Sequence, residues 1–342
     1  MKKYFFVVVA AALLVSCKKD PVTPPVTRMP LYFSPGQGAF VLSEGNFTYG
    51  NSKVTYFNFA GAAVTPDVFR NANDRPLGDV CQSMTVIGDK GYLVINNSGK
   101  VEVVSMGNFK STATITGFNS PRYMLAVSAS KAYVTDLYAN AISIVNLSSN
   151  TISGSIPCSG WTEQLVQSGT NVYVTNHTKG KVYVINSITD QLSDSITVTK
   201  GANSLVFDSA GKLWVMCSGE STSSTNGALY RINPADNSIE STMAFGASES
   251  PWRLTIHNDV LYYLNGGVYK MGTGDATLPT AAFINIPGTN FYSLGIHPAT
   301  GKLFVGNAVD YVQSGIVYVY NPSGALETSF SAGVIPGEFC FY

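Results

Sequence analysis

The sequence predicts an all-β protein, a seven-bladed β-propeller, and three observations lead to that prediction. Glycine, serine, asparagine and threonine are plentiful and long helical patterns are missing, which favours many short strands joined by turns. One strand pattern recurs seven times at intervals of about 40 residues, a period typical of propeller blades. The final run, Gly337 to Tyr342, is a single strand that completes the first repeat and closes the ring.

The bulk composition limits the possible partners. The chain has 342 residues, a formal net charge of zero, 45% hydrophobic residues and 12% charged residues. It therefore carries enough apolar material for a large core and has too few charges for a disordered protein. A nucleic-acid partner is not expected, because such binding needs a basic face that displaces counterions. We expect a monomer in isolation.

Residues 1–16 are predicted to be a lipoprotein signal peptide. Lys2 and Lys3 precede an apolar run that is too short to span a bilayer stably. The run ends in Leu-Val-Ser-Cys, which resembles a bacterial lipobox, so we expect cleavage before Cys17 and a lipid on its sulfur. The alternative is an ordinary secretory signal with a chance cysteine.

Residues 17–37 are predicted to be the lipidated cysteine followed by a proline-rich tether. The segment PVTPPVTRMP (21–30) favours an extended spacer over a packed element. The charged residues directly after Cys17 resemble the surface-export signals of Bacteroidetes lipoproteins. We therefore expect a lipid-anchored outer-membrane protein that is exposed at the cell surface.

The propeller is predicted to span residues 38–342, with the strands of each repeat in the same order. An apolar inner strand precedes a strand with a central aromatic, and a third strand alternates as a sheet with two different faces requires. The aromatics of the second strands are Phe40, Tyr92, Tyr133, Tyr173, Trp214, Tyr262 and Phe304. The first repeat begins at Gly38 with its second strand, so the C-terminal run is expected to supply its inner strand and to remove exposed sheet edges.

Ligands of propellers usually bind on the face where an outer strand leads into the next inner strand. Aligning the inner strands places two residues of each at this rim, and strand alternation should turn one of them toward the central funnel. The predicted ligand-binding residues are Arg75, Gln82, Arg122, Tyr123, Trp161, Glu163, Gln164, Asn203, Trp252, Arg253, Phe291 and Tyr292. Aromatic rings and arginine together suit a large flat ligand with polar edges, because rings cover its face while guanidinium and amide groups bond to its edge.

No catalytic or metal-binding constellation is predicted. The three histidines are far apart in the sequence, and the nucleophile motif GxSxG does not occur. Two carboxylates, Glu44 and Glu163, could approach each other across the funnel. A metal-dependent lactonase or a glycoside-active hydrolase is therefore one alternative.

The repeat phrases VYVTNHTKGKVYVINSITDQLSDSI and AYVTDLYANAISIVNLSSNTISGSI resemble the YncE-like propeller family. The stretches LSEGNFTYGNSKVTYFN, RPLGDVCQSMTV, NSPRYML and GWTEQLV are similar to Bacteroidetes surface lipoproteins of that class, which include the BtuG-type propellers that capture vitamin B12 over a TonB-dependent outer-membrane transporter. The resemblance implies a non-enzymatic lipoprotein without a cofactor, which binds a corrinoid (cobalamin) as cargo and hands it to such a transporter. An adhesion or scaffold propeller that binds a protein or glycan is the other alternative.

Overall fold

A computed structural model describes residues 31–220 and 224–342, and it confirms the predicted seven-bladed propeller. The first strands are β1 (Gly38–Ser43), β2 (Lys53–Asn58), β3 (Val64–Thr65), β4 (Cys81–Ile87), β5 (Lys90–Ile95), β6 (Lys100–Ser105), β7 (Ser111–Thr116), β8 (Pro121–Ala126), β9 (Lys131–Asp136), β10 (Ala141–Asn146) and β11 (Thr151–Pro157). The middle strands are β12 (Thr162–Ser168), β13 (Asn171–Asn176), β14 (Lys181–Asn186), β15 (Gln191–Thr197), β16 (Ala202–Phe207), β17 (Leu213–Cys217), β18 (Ala228–Asn233) and β19 (Ser238–Ala244). The last strands are β20 (Trp252–His257), β21 (Val260–Leu264), β22 (Val268–Gly272), β23 (Phe291–Ile296), β24 (Leu303–Asn307), β25 (Ser314–Tyr320), β26 (Leu326–Val334) and β27 (Pro336–Phe341).

Each blade is an antiparallel sheet that runs outward from the centre of the ring. The inner strands of the second to seventh blades are β4, β8, β12, β16, β20 and β23. All of these strands begin at the same face of the ring, which we call the upper face, and end at the lower face. The loops between second and third strands also lie at the upper face, because neighbouring strands are antiparallel.

The ring is closed by the final strand, as predicted. In the first blade the order from the centre is β27, β1, β2 and β3, with Ala39 opposite Phe341 and Leu42 opposite Glu338. Gly38 and Tyr342 also exchange two backbone hydrogen bonds of 2.8 Å, in which each N–H donates to the other carbonyl. The final strand is therefore the inner strand of the first blade.

The aromatic residue predicted for each second strand lies in that strand and is at most 6% exposed. Alternation turns successive side chains to the two faces of a blade, and each face packs against a neighbouring blade. Tyr92 of the second blade, for example, shares a buried cluster with Met124 and Val134 of the third. Apolar seams of this kind hold the blades side by side.

Two parts of the chain depart from the regular repeat. The sixth blade has three strands, and the segment after β22 covers its edge: Val268 donates its N–H to Ile284 at 2.9 Å, and Lys270 Nζ lies 3.6 Å from the centre of the Phe283 ring. Between β3 and β4 the chain forms a short helix, α1 (Val68–Asn73), whose N-cap is Asp67. The repeat pattern predicts neither feature.

The predicted signal peptide and Cys17 lie outside the described residues. Part of the segment predicted as tether packs on the propeller: Phe33 is buried against Phe40, Tyr56 and Phe109, and its N–H donates to Gly107 at 3.0 Å. Gly107 follows the third strand of its blade, so the described chain begins at the lower face. In residues 31–220 and 224–342, helices are all too short or too polar to cross a membrane.

Removal of Phe339–Tyr342 should destabilise the protein by more than about 4 kcal/mol, because half of β27 and two packed phenylalanines are lost. Phe339 and Phe341 lie 5.9 and 5.2 Å from Phe304 of the seventh blade, measured between ring centres. Urea denaturation measures the loss. Leu326→Ser, at an exposed position of β26, is the control and should change stability little. A truncated chain that keeps the wild-type unfolding midpoint would contradict closure by this strand.

Candidate functional site

A small cavity lies at the upper end of the central channel, where the inner strands begin. Its volume is ≈ 70 Å³. Nine of the twelve predicted ligand-binding residues line it, together with Ser204. The nine are Gln82, Arg122, Tyr123, Glu163, Gln164, Asn203, Trp252, Arg253 and Tyr292. The fold thus brings side chains from six blades to one mouth.

A β-bulge lies near the upper end of every inner strand. A bulge sets two residues against one on the partner strand and redirects their side chains. In the third to sixth blades both rim residues, such as Arg122 and Tyr123, therefore line the cavity. The prediction that only one residue of each pair faces the funnel is wrong for these blades, because the bulge interrupts the alternation.

Arg122 and Glu163 form a well-connected ion pair in the cavity. Arg122 Nη2 and Nε lie 2.8 and 3.1 Å from Glu163 Oε1, and Nε lies 3.2 Å from Oε2. Arg122 Nη1 also donates to Gln82, and the Trp161 indole N–H donates to Glu163. The Arg122 and Glu163 side chains are 18% and 6% exposed, so both charges are largely removed from water and each has a partner of opposite charge.

Arg253 separates the cavity from the rest of the channel. It borders both the cavity and a second space of ≈ 320 Å³ that continues toward the lower face. Its Nη1 donates to the Tyr123 hydroxyl at 2.9 Å and lies 3.6 Å from Glu338 Oε2. Its Nε is buried without a hydrogen-bond partner among the described residues. An acceptor bound in the channel would satisfy this donor and remove the cost of leaving it unpaired.

Two glutamates outside the predicted ligand-binding set belong to the site: Glu44, which the sequence analysis placed across the funnel from Glu163, and Glu338, which it did not place. Glu338 stands at the rim position of the first blade, directly after the bulge in β27. Glu44 follows β1, and its carboxylate lies beside Gly337, where an added Cβ would be 2.8 Å from Glu44 Oε1. Glycine at position 337 therefore makes room for Glu44. Extending the rim alignment to the seventh inner strand would have placed Gly337 and Glu338.

The structure does not bring Arg75 to the cavity, which corrects its placement at the rim. Its guanidinium binds Glu102 of β6, donates to Ser111 Oγ at 3.1 Å, and lies 4.9 Å from the centre of the Phe69 ring. Because Glu102 is fully buried, Arg75 is held in the outer part of the second blade as the partner of that charge.

Trp161 and Phe291, predicted just outside the rim, have different surroundings. Trp161 borders the polar network, since its ring stacks on His177 at 4.2 Å between centres and lies 5.6 Å from the Arg122 guanidinium carbon. Phe291 packs within the apolar cluster of the sixth and seventh blades, 6.2 Å from the Tyr318 ring centre. Phe291 therefore contributes to packing between blades.

The site contains three carboxyl groups and two guanidinium groups. It therefore carries a net negative charge when every carboxyl group is ionised. Burial raises the pKa of Glu338 to about 7, although Arg253 opposes the shift. Burial also raises the pKa of Glu44, against the opposing effects of Arg253 and Arg122. The site therefore reaches its full negative charge only above neutral pH. Where the structure describes the chain, no group of three or more His, Cys, Asp or Glu residues could hold a metal ion.

Exposed aromatic side chains lie on upper-face loops of the first, third and seventh blades. Phe47 and Tyr49 lie between β1 and β2, Tyr138 between β9 and β10, and Tyr311 between β24 and β25; they are 66%, 77%, 67% and 45% exposed. Tyr311 packs edge-on against Tyr292 of the cavity, with 5.9 Å between ring centres. The polar cavity is thus continuous with an aromatic rim.

The loops of the first and seventh blades are held in unusual backbone conformations. Thr48, Val309 and Tyr311 have φ values of 75°, 56° and 64°, a region unfavourable for β-branched and bulky side chains. Hydrogen bonds fix the loops: Thr48 N–H donates to Asp79 Oδ2 at 2.8 Å, and the Asn46 amide donates to the Tyr311 carbonyl at 3.1 Å. Backbone strain of this kind is concentrated at functional sites, where it positions side chains in advance.

A family model places the chain among known proteins. The model described as "Domain of unknown function (DUF5074)" matches residues 37–329. The chain belongs to this family. In this DUF5074 protein, the matched region contains all ten residues that line the cavity and ends within β26, before β27. No curated protein matches the chain.

Solved structures similar to this DUF5074 protein include propellers of different names. A quinonprotein alcohol dehydrogenase-like protein from Bacteroides thetaiotaomicron is 15% identical with a TM-score of 0.70, covering 90% of this chain and 78% of its own. A candidate 6-phosphogluconolactonase from Bacteroides fragilis is 14% identical with a TM-score of 0.68, covering 89% and 98%. Virginiamycin B lyase from Staphylococcus aureus is 14% identical with a TM-score of 0.57, covering 72% and 82%. At these identities the likeness shows the fold alone.

Glu338→Gln should remove part of the pH dependence of stability. The folded state raises the pKa of Glu338 from 4.5 to about 7, so protonation favours folding. This contribution is fully present below about pH 4.5 and is lost as the pH rises through 7. Between pH 6 and pH 8.5, wild type should lose about 1–2 kcal/mol of unfolding free energy relative to the variant, measured by urea denaturation.

The control for this experiment is Glu327→Gln. Glu327 pairs with Lys302 at the surface, where the two side chains are 35% and 42% exposed. The difference in unfolding free energy between Glu327→Gln and wild type should stay constant over the same pH range. A constant difference for Glu338→Gln as well would show that Glu338 already has its ordinary pKa in the folded protein.

Proposed function

We propose that this protein is a lipid-anchored surface protein that captures a large flat ligand of the corrinoid class on its upper face and passes it, chemically unchanged, to a TonB-dependent outer-membrane transporter. The observation that carries the proposal is a small polar cavity on the same face as exposed aromatic loop residues, one of which, Tyr311, packs against Tyr292 of the cavity. The corrinoid and the transporter come from the resemblance to vitamin-B12-capturing propellers, and the rim chemistry supports them.

The size of the cavity limits how such a ligand binds. Pockets that enclose a drug-sized molecule measure roughly 300–1,000 Å³, whereas this cavity measures ≈ 70 Å³. It therefore holds one protruding polar group, and the ring of the ligand lies across the mouth. A carboxamide, which both donates and accepts hydrogen bonds, suits walls that contain Arg253 and Asn203 as donors and Glu163 as an acceptor.

The aromatic rim supplies the contact for the flat face of the ligand. Phe47, Tyr49 and Tyr311 expose large ring surfaces beside the mouth, and an aromatic side chain can bury ~150–250 Å² on contact. The strained, hydrogen-bonded loops hold these rings before the ligand arrives. Binding therefore loses little conformational entropy, which favours tight association.

The position of the chain terminus is compatible with capture at a membrane surface. The first described residues contact the lower face through Phe33, on the side opposite the cavity. A tether attached at Cys17 would therefore leave the upper face unobstructed. The proposed membrane anchoring of the protein and the proposed transfer of ligand to a transporter also depend on residues 1–17, whose pattern resembles a lipoprotein signal.

The polar network supports a role in binding without chemical conversion. Glu163, one of the two carboxylates considered for hydrolysis, is already bonded to Arg122 and Trp161. A general base must reach the proton that it removes, and donors from Arg122 and Trp161 already occupy this carboxylate. The names lyase, lactonase and dehydrogenase describe the similar solved structures, and at such low identity they do not assign an activity to this protein.

Titration calorimetry with cyanocobalamin tests the proposal. We expect one saturable site per chain, and the double variant Tyr49→Ala, Tyr311→Ala should bind at least about tenfold more weakly because two rim rings are removed, about 1.4 kcal/mol or more. Ile188→Ala, at a position 74% exposed on the lower face, is the control and should bind as wild type does. Absence of binding heat at about 100 µM ligand would contradict corrinoid capture.

A further inference from the structure

A second and larger cavity lies on the lower face, at the seam between the seventh and first blades. We call it the seam crevice; its volume is ≈ 520 Å³. Its walls include Phe57 from β2, Phe59 from the turn after β2, and His297 and Phe304 from the seventh blade. Its volume falls within the roughly 300–1,000 Å³ of small-molecule pockets. It is separate from the upper-face site, since β2 and β23 both end at the lower face.

Four of the twelve residues that line the seam crevice are aromatic, and their rings are in contact with one another. Phe59 meets His297 edge-on at 4.7 Å between ring centres, and Phe304 lies 6.0 Å from Phe57 and 6.1 Å from Phe59. Phe57 is itself backed by Phe330, parallel to it at 4.5 Å. Such packed rings form a rigid wall, and aromatic walls favour an aromatic guest through face-to-edge contacts beyond the burial of area alone.

The seam crevice is open to solvent because the turns beside it carry small side chains and the neighbouring outer strand is short. Ala62 and Ala299 lie in these turns, and the outer strand β3 of the first blade is only two residues long. Phe59 and His297 therefore remain partly accessible to solvent, and the buried Phe57 and Phe304 rings lie behind them.

The mouth of the seam crevice carries both signs of charge. Lys302 Nζ and Glu327 Oε2 lie 2.6 Å apart, with side chains 42% and 35% exposed. An exposed pair of this kind contributes only about 0–1 kcal/mol, so a ligand can replace it at little cost. One positive and one negative group side by side are complementary to a zwitterion.

His297 places a polar imidazole ring in the wall of the seam crevice. Its Nδ1 accepts hydrogen bonds from the N–H groups of Ala299 and Thr300 at 3.1 and 3.2 Å. Burial lowers its pKa, with smaller effects of Lys302 and His257 in the same direction. The neutral ring therefore carries its proton on Nε2 and does not add a net charge to the mouth.

We propose that the seam crevice is a second ligand site, which takes a zwitterionic aromatic molecule of the aromatic amino-acid class. Its ring packs against the partly exposed Phe59 and His297 rings, while its carboxylate binds Lys302 and its ammonium binds Glu327. Because the crevice is formed by the seventh and first blades, a bound ligand also bridges these two blades.

Calorimetric titration of the full chain with L-tryptophan tests the proposal. We expect one site in the micromolar range, and at least about tenfold weaker binding to Ala299→Trp, in which the new indole fills the crevice. Ala129→Trp, in the corresponding exposed turn of the third blade, is the matched control and should bind within about twofold of wild type. Tryptamine and indole-3-propionate each lack one charge, and each should bind at least about threefold more weakly than tryptophan.

Three results would overturn this second site: no saturable heat with tryptophan at about 1 mM, equal binding by Ala299→Trp and wild type, or equal affinity for tryptophan and both analogues. The rim variant Tyr49→Ala, Tyr311→Ala should bind tryptophan as wild type does. This result separates the seam crevice from the proposed corrinoid site.

Discussion

The pairing of β27 with β1 is the interaction on which the rest of the structure depends. It joins the two ends of the propeller and gives the first blade an inner strand like those of the other six. The same strand places Glu338 opposite Arg253, and its Gly337 leaves the space that Glu44 occupies. Closure of the ring and assembly of the polar cavity are therefore consequences of one strand pairing.

The charged groups that line the cavity are buried at a cost in folding free energy. Removing charged groups from water is unfavourable, and a buried ion pair is often no more stabilising than apolar residues of the same volume. Arg122 and Glu163 nevertheless form a buried ion pair in the cavity. Arg253 beside them has a strained backbone φ of 59°. Its buried Nε has no hydrogen-bond partner among the described residues. Apolar side chains would close the channel at a lower cost in stability, and the proposed ligand recognition accounts for the polar network found there.

The sequence predicted the architecture because the repeat acts through local rules. An aromatic in each second strand and an alternating third strand are sufficient to define a blade, and the unpaired start at Gly38 predicts closure by the C-terminus. The rim residues were found because strand alignment places equivalent positions around one axis. Irregular elements were missed where the repeat is broken, as at α1 and in the three-stranded sixth blade.

The site could be predicted only in part, for physical reasons. Alternation cannot reveal a bulge, so the joint exposure of Trp252 and Arg253 to one cavity was not foreseen. Arg75 was misplaced because the contact of its guanidinium with Glu102 joins residues far apart in the chain. The strain at Thr48, Val309 and Tyr311 depends on backbone geometry, which residue type alone does not specify.

The central claim is that ligand binds at the upper mouth of the ring, between the polar cavity and the aromatic rim. Hydrogen–deuterium exchange with and without cyanocobalamin tests it directly, because exchange reports local protection along the chain. The account predicts slower exchange in loops 44–50 and 308–313 and at the start of the inner strands β8, β12 and β20. Unchanged exchange at these places, or protection confined to the lower face, would contradict it.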